Sequence, residues 1–152
     1  MQIEYRYTFS APREAVWDAL QSQEVLRRRL PGCRRLEKVG EGKYAADLGL
    51  QVGPINGLFT GEVELADAHA PEDYRLLLQG QGKPGTLAAD ALIRLEEEDG
   101  KTLLTCSAQA QVTGVMASVG QRVMGGIAQL LLGQFFKGVE EDLQSGESSS
   151  SG

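Results

Sequence analysis

The stretch Gly114–Leu143 reads GVMASVGQRVMGGIAQLLLGQFFKGVEEDL, and it decides the fold that the rest of the chain must build. Its apolar residues recur at steps of three and four, which is the spacing of a helix with one buried stripe. Roughly 30 residues of helix rise about 45 Å, which is enough to cross a small domain. The pattern therefore predicts one long C-terminal helix over 114–143.

This stretch is also rich in glycine, at positions 114, 120, 125, 126, 133 and 138. An interior glycine costs a helix roughly 0.5–1 kcal/mol relative to alanine, so helix stability alone does not account for them. Two explanations remain open at this point. Either the helix packs closely against a sheet, or the missing side chains leave room for a ligand.

Most of the preceding chain alternates between apolar and polar residues, as half-buried strands do. We predict strands at 2–9, 44–52, 59–65, 74–78, 87–95 and 104–112, a weaker one at 33–39, and two short helices between the first and second strands. Ser10 is a candidate N-cap for the first of these helices. Clean alternation favours an antiparallel sheet with one solvated face.

The predicted fold is therefore α+β, with a curved seven-stranded antiparallel sheet around a long C-terminal helix and two short helices after the first strand. Residues 1–144 are expected to form a single domain, and the serine-rich segment 145–152 is expected to be a disordered tail.

Composition limits the function. The formal net charge is −6, which argues against nucleic acid as a partner because a phosphate backbone attracts a basic surface. The chain starts directly in a strand pattern, and no apolar run is long enough to span a bilayer. Cys33 and Cys106 lie far apart, without metal or redox spacing. We expect a cytoplasmic protein without a metal site or cofactor.

The predicted inward face carries many small residues opposite a glycine-rich helix. Because protein interiors pack densely, small residues on both surfaces either bring the layers together or leave a cavity. A curved sheet cannot close everywhere around a helix, so we favour an apolar ligand cavity. Its predicted lining is Tyr7, Leu30, Tyr44, Leu48, Phe59, Gly61, Leu78, Ala89, Ala91, Cys106, Ala108, Met116, Gly120, Met124 and Ile127.

The inward rows contain almost no ionisable group, whereas acid–base and nucleophilic catalysis both need a positioned one. The single histidine, His69, precedes a turn and is interpreted as a solvated loop residue. We predict no catalytic residue. An enzyme on this fold would need Tyr44, Cys106 or Asp67 to supply a buried acid, base or polar pair.

Five arginines stand close together, at Arg27, Arg28, Arg29, Arg34 and Arg35. One interpretation is a solvated loop. The other is a docking patch for an anionic membrane surface or an acidic partner protein.

An ordered set of short motifs resembles the family of the CoxG subunit of carbon monoxide dehydrogenase, within the START-like/Bet v 1-like (SRPBCC) superfamily. The motifs are Ala11-Pro-Arg-Glu-Ala-Val-Trp17, Leu30-Pro-Gly-Cys33, Val52-Gly-Pro54, Phe59-Thr-Gly61, Gly80-Gln-Gly82 and Val112-Thr-Gly114. The resemblance implies a helix-grip fold with a lipophilic ligand cavity.

The same resemblance implies an accessory role beside a molybdenum hydroxylase of the carbon monoxide dehydrogenase type. There the protein would help to place the enzyme at the inner face of the cytoplasmic membrane, or carry a lipophilic molecule such as a quinone or lipid. Some relatives end in an apolar membrane-binding extension, and this chain ends in the serine-rich segment instead. The open alternatives are a polyketide cyclase/dehydratase-like enzyme and an adaptor that docks through Arg27–Arg35.

Overall fold

A computed structural model describes the backbone of residues 1–150 and the side chains of residues 1–145. The strands are β1 (Gln2–Phe9), β2 (Cys33–Gly40), β3 (Lys43–Val52), β4 (Ile55–His69), β5 (Asp73–Gly82), β6 (Gly85–Glu98) and β7 (Lys101–Val112). The helices are α1 (Arg13–Gln21), α2 (Gln23–Arg29), α3 (Val115–Ser118) and α4 (Gln121–Ser150). The predicted disordered tail, 145–152, lies almost wholly beyond the described side chains and stays a prediction.

The seven strands form one antiparallel sheet in the order β1-β7-β6-β5-β4-β3-β2. Each strand pairs with its neighbour in sequence, except that β1 closes onto β7. The long helix α4 packs on the inner face, and α1 and α2 cover one end of it. This is the predicted helix-grip architecture, with the two short helices in their predicted places.

The prediction of one unbroken helix over 114–143 was wrong at its start. Gly114 and Gly120 adopt positive φ angles of 70° and 98°, outside helical geometry. They isolate the single turn α3, and α4 begins only at Gln121.

The predicted N-cap at Ser10 was also wrong. The N-cap of α1 is Pro12, whose side chain cannot cap. The Ser10 backbone N–H instead donates to Glu140 on α4 at 3.1 Å.

Two apolar clusters of different size fill the space between sheet and helix. The larger one contains Phe9, Trp17, Tyr74, Phe136 and Val139, all nearly or completely buried, and it lies where α1 and α2 meet α4. Among the described residues, the buried members of the smaller one are Ile55, Phe59, Met116 and Met124. We call the first region the closed end and the second the open end.

The open end is where several separate segments meet. It comprises the β3–β4 turn at residues 53–54, the β5–β6 turn at residues 83–84, α3, and residues 121–131 of α4. The backbone N–H of Met116 donates to the Pro84 carbonyl at 3.2 Å, which seats α3 on the β5–β6 turn.

Candidate functional site: an apolar cavity

An apolar cavity of about 110 Å³ lies between the sheet and the helices at the open end. Alternation along each strand turns one apolar row toward α3 and α4, and the rows nearest the two turns line the cavity. The inward lining is Ala46, Leu48, Leu50, Ile55, Phe59, Gly61, Val63, Leu78, Gly80, Leu87, Val112, Met116, Met124, Ile127 and Leu131. Thr60, Glu62 and Gln79, from the outward rows, border it.

An outer groove of about 410 Å³ runs beside this cavity, between the end of β7 and the α3–α4 junction. Val112, Met116 and Met124 line both spaces. The two methionines therefore form the partition between the cavity and the groove. Methionine side chains are unbranched and repack readily, so this partition can yield to a guest molecule.

Close backbone packing fixes the strands around the cavity. At Gly61 an added Cβ would lie 1.8 Å from the Gln79 carbonyl oxygen, so only glycine lets β4 and β5 approach here. The β3–β4 turn reaches toward α4, where a Cβ at Gly53 would lie 3.9 Å from the Ile127 Cδ1.

Seven of the predicted lining residues surround this cavity: Leu48, Phe59, Gly61, Leu78, Met116, Met124 and Ile127. Gly120 lines the outer groove instead. The remaining seven, Tyr7, Leu30, Tyr44, Ala89, Ala91, Cys106 and Ala108, belong to the larger apolar cluster. Leu30 is the C-cap of α2, and the other six stand in the inward rows of the sheet, where they pack in this cluster instead of lining the cavity.

Eight residues of the cavity lining were not predicted from the sequence: Ala46, Leu50, Ile55, Val63, Gly80, Leu87, Val112 and Leu131. Most of these stand in the same inward rows. Their place in those rows is the signal that could have found them, but alternation does not separate Val63, which lines the cavity, from Ala89, which does not.

The three residues on which an enzyme would depend lie away from the cavity. Tyr44 and Cys106 are buried in the larger cluster, and burial raises the pKa of the Cys106 thiol to about 11. This thiol stays protonated at neutral pH and is a poor nucleophile. Asp67 is 72% exposed at the far end of β4, beside Arg75.

His69 is an exposed residue at the end of β4, close to its predicted place at a turn. Its Nδ1 lies 2.8 Å from an Asp73 carboxylate oxygen. This hydrogen bond and the Asp73 charge raise the pKa of His69.

Intramolecular acids neutralise most of the arginine cluster. Arg27 and Arg28 pair with Glu24 at 3.1 and 3.4 Å. Arg28 and Arg29 also pair with Asp142 of α4, at 3.3 and 2.8 Å, and thereby join α2 to α4.

The remaining two arginines differ from each other. Arg35 pairs with Asp47 at 2.8 Å and Glu37 at 3.1 Å. Arg34 lies against Gly49 and has no ion pair within the described part of the chain. The arrangement favours a largely structural role for the cluster.

Comparison with known proteins identifies the family. The sequence profile of the CoxG subunit of carbon monoxide dehydrogenase matches residues 7–144. The chain belongs to the CoxG family. This confirms the resemblance seen in the motifs, over nearly the same residues.

Solved structures agree with the fold. A conserved protein from Geobacillus kaustophilus is 34% identical over 95% of this chain and 96% of its own, with a TM-score of 0.93. A START superfamily protein from Mycobacterium smegmatis is 13% identical over 95% and 97%, with a TM-score of 0.73. The Zhui aromatase/cyclase from Streptomyces is 14% identical over 95% and 93%, with a TM-score of 0.60. No curated protein matches the chain in sequence.

The two more distant structures establish the START/Bet v 1-like helix-grip fold of this CoxG family member, and nothing about its chemistry. None of the helices among the described residues is long and apolar enough to span a membrane.

Proposed function

We propose that this CoxG family member is a non-catalytic accessory protein that binds an uncharged lipophilic small molecule, such as a quinone or lipid, in the cavity at the open end. The observation that carries the proposal is the lining itself, because every inward side chain of the cavity is apolar. Such linings select apolar ligands and give little orientation to charged ones.

The size of the site constrains the bound geometry. Small-molecule sites usually occupy roughly 300–1,000 Å³. The cavity of about 110 Å³ is smaller than this, whereas the outer groove offers about 410 Å³. A ligand would place a ring or a short apolar segment in the cavity and the rest in the groove, with Met116 and Met124 repacking around it.

Membership of the CoxG family supports a finer proposal, that the chain serves a molybdenum hydroxylase of the carbon monoxide dehydrogenase type near the cytoplasmic membrane. A carrier that presents a lipophilic electron acceptor to such an enzyme would need no catalytic group of its own. The position of Tyr44, Cys106 and Asp67 outside the cavity gives the enzyme alternative no catalytic group there.

The experiment is native mass spectrometry of freshly purified protein, followed by organic extraction of the bound compound. We expect a lipophilic compound at near-stoichiometric amount. Leu78→Phe adds bulk inside the cavity and should lower occupancy about tenfold, since overpacking costs roughly 1–3 kcal/mol.

Leu65→Phe is the matched control, because Leu65 packs on the larger cluster and not on the cavity. Equal loading of the Leu78→Phe variant, or empty protein that takes up neither a quinone nor a fatty acid, would contradict the proposal.

A further inference from the structure

Charge is distributed very unevenly between the two ends of this molecule. The chain has 21 acidic residues, yet none falls in residues 48–61, 79–89 or 108–131. These three segments hold only two charged groups, Lys83 and Arg122, so their net charge is +2 and that of the remaining chain is −8.

The fold brings these three segments together at the open end. A Cβ at Gly57 would lie 3.2 Å from the Pro84 ring, so the β3–β4 and β5–β6 hairpins are adjacent near their turns. The hydrogen bond from Met116 to Pro84 and the proximity of Gly53 to Ile127 add α3 and α4 to the same surface.

The opposite turns of the sheet are strongly acidic. The β2–β3, β4–β5 and β6–β7 connections all lie at the closed end, and they or the adjoining strand ends carry Glu41, Asp67, Glu72, Asp73, Glu96, Glu97, Glu98 and Asp99. These acids outnumber the bases at the same strand ends, Lys43, Arg75 and Lys101. The molecule is therefore an electric dipole along its strands, with its positive pole at the open end.

Exposed apolar side chains occur at the same pole. Five large apolar residues among the described residues are prominently exposed, and four lie at this end of the molecule: Leu58 (49%), Val115 (58%), Val123 (49%) and Leu130 (51%). Val123 and Leu130 are seven residues apart and share one face of α4. The fifth, Val39 at 59%, lies on the edge strand β2.

We infer that the open end docks on an anionic lipid bilayer, with the two hairpin turns, α3 and the first turns of α4 facing the lipid. Exposed apolar residues that enter the interface, together with nearby cations and no acids, are what such a surface requires. The acidic closed end would be repelled by anionic lipid, so the dipole orients the molecule as it approaches.

This inference deepens the proposed function, and it rests on that function for its purpose. On α3, Val115 is exposed while its neighbour Met116 is buried at the partition of the cavity. Docking by this surface would set the cavity opening against the membrane, where a lipophilic ligand is dissolved. Arg28 and Arg29 pair with Asp142 near the end of α4, away from this surface, whereas Arg34 lies against Gly49 in one of the three acid-free segments.

The test is flotation of the full chain with vesicles of phosphatidylcholine, with and without phosphatidylglycerol. We expect binding that requires phosphatidylglycerol and weakens in high salt. Val115→Glu combined with Val123→Glu should reduce the bound fraction roughly tenfold or more, because both changes put an acid where the chain has none.

Val39→Glu is the matched control for the single variant Val115→Glu, because the two valines are 59% and 58% exposed, and it should bind vesicles as the wild type does. Arg34→Glu reverses a cation that lies against Gly49 and has no ion pair among the described residues, and it should weaken vesicle binding less than the double valine variant does.

Several outcomes would overturn the docking surface. These are no vesicle binding by the wild type, equal loss in the Val39→Glu control, or loss only with Arg34→Glu. Uptake of menadione from solution, measured on the same variants, separates this failure from that of the proposed function. The two valines point away from the cavity, so Val115→Glu with Val123→Glu should retain uptake whether or not docking is lost.

Discussion

The closed and open ends of the interface between sheet and helix are built from the same strands and the same helix, but they are filled differently. At the closed end, Phe136 of α4 is completely buried and its ring lies within 6.4 Å of those of Tyr5, Tyr7, Phe9 and Phe135. At the open end, Met116 of α3 and Met124 of α4 face the apolar rows of the sheet across a cavity. The closed end supplies stability, and the open end gives up packing to keep a cavity.

The glycines of α4 show the same division. An added Cβ at Gly138 would lie 2.7 Å from the Arg29 Cδ, and one at Gly133 would lie 3.0 Å from the Tyr5 hydroxyl oxygen. Apart from the chain neighbours and the nearby backbone of α4 itself, no described atom comes within 4 Å of a Cβ added at Gly125 or Gly126. Close packing therefore accounts for Gly133 and Gly138. Gly125 and Gly126 have no close neighbour, and neither residue lines the cavity or the outer groove.

The largest expected difference concerns the aromatic cluster. Phe136→Ala should lower the free energy of unfolding by about 3–5 kcal/mol, since it empties a fully packed site. Phe59→Ala at the open end should cost less, because the Phe59 side chain already borders a cavity. Urea unfolding of both variants measures this. A larger loss for Phe59→Ala would reverse the assignment of the two ends.

A smaller effect is expected at the ion pairs between α2 and α4. Burial would by itself raise the pKa of Asp142, but the hydrogen bond from Arg29 and the charges of Arg29 and Arg28 outweigh it and lower that pKa. The charged form of Asp142 is therefore more favoured in the folded state than in the unfolded chain. Asp142→Asn should lower the free energy of unfolding by about 1–2 kcal/mol at pH 7, after allowance for partial exposure.

The pH dependence of this effect has a definite sign. A carboxyl whose pKa is lowered by folding stabilises the protein above its unfolded pKa, near 3.9, and loses that effect as the pH falls through its folded pKa. Unfolding curves of the wild type and Asp142→Asn should therefore converge below about pH 4. Glu24→Gln is the control, since Glu24 is 64% exposed, and it should change little. If the free energies of unfolding of the wild type and Asp142→Asn differed by the same amount at all pH values, the effect would come from packing and not from charge.

The smallest effects distinguish the glycines. Gly125→Ala and Gly126→Ala should each raise the free energy of unfolding by roughly 0.5–1 kcal/mol, because both positions are helical and have room for a methyl group. Gly138→Ala should lower it, because Arg29 is held by Asp142 and cannot move aside freely. Thermal unfolding of the three variants provides the comparison. If Gly138→Ala raised the free energy of unfolding, or if Gly125→Ala and Gly126→Ala lowered it, the glycines of the two ends would not differ in the way described.

Much of the fold, and part of the candidate site, could be predicted from the sequence. Alternation placed all seven strands, and steps of three and four placed the long helix, because these periods follow from backbone geometry. The break at Gly120 was missed because a glycine within a helical pattern does not reveal the sign of its φ angle. Tyr44 and Ala91 were assigned to the cavity because alternation gives the face of a strand but not what fills the opposite side. The arginine cluster is dense in sequence, and Glu24 and Glu37 are local partners, but Asp142 is 113 residues from Arg29 and only the fold brings it near.

One measurement tests the central claim most directly: an NMR titration of uniformly ¹⁵N-labelled protein with menadione, a small neutral quinone. The account predicts saturable shifts of backbone amides in residues 46–63 and 112–131 and none in α1 or α2. Shifts concentrated at the closed end, or no saturable shift at all, would contradict a ligand site at the open end.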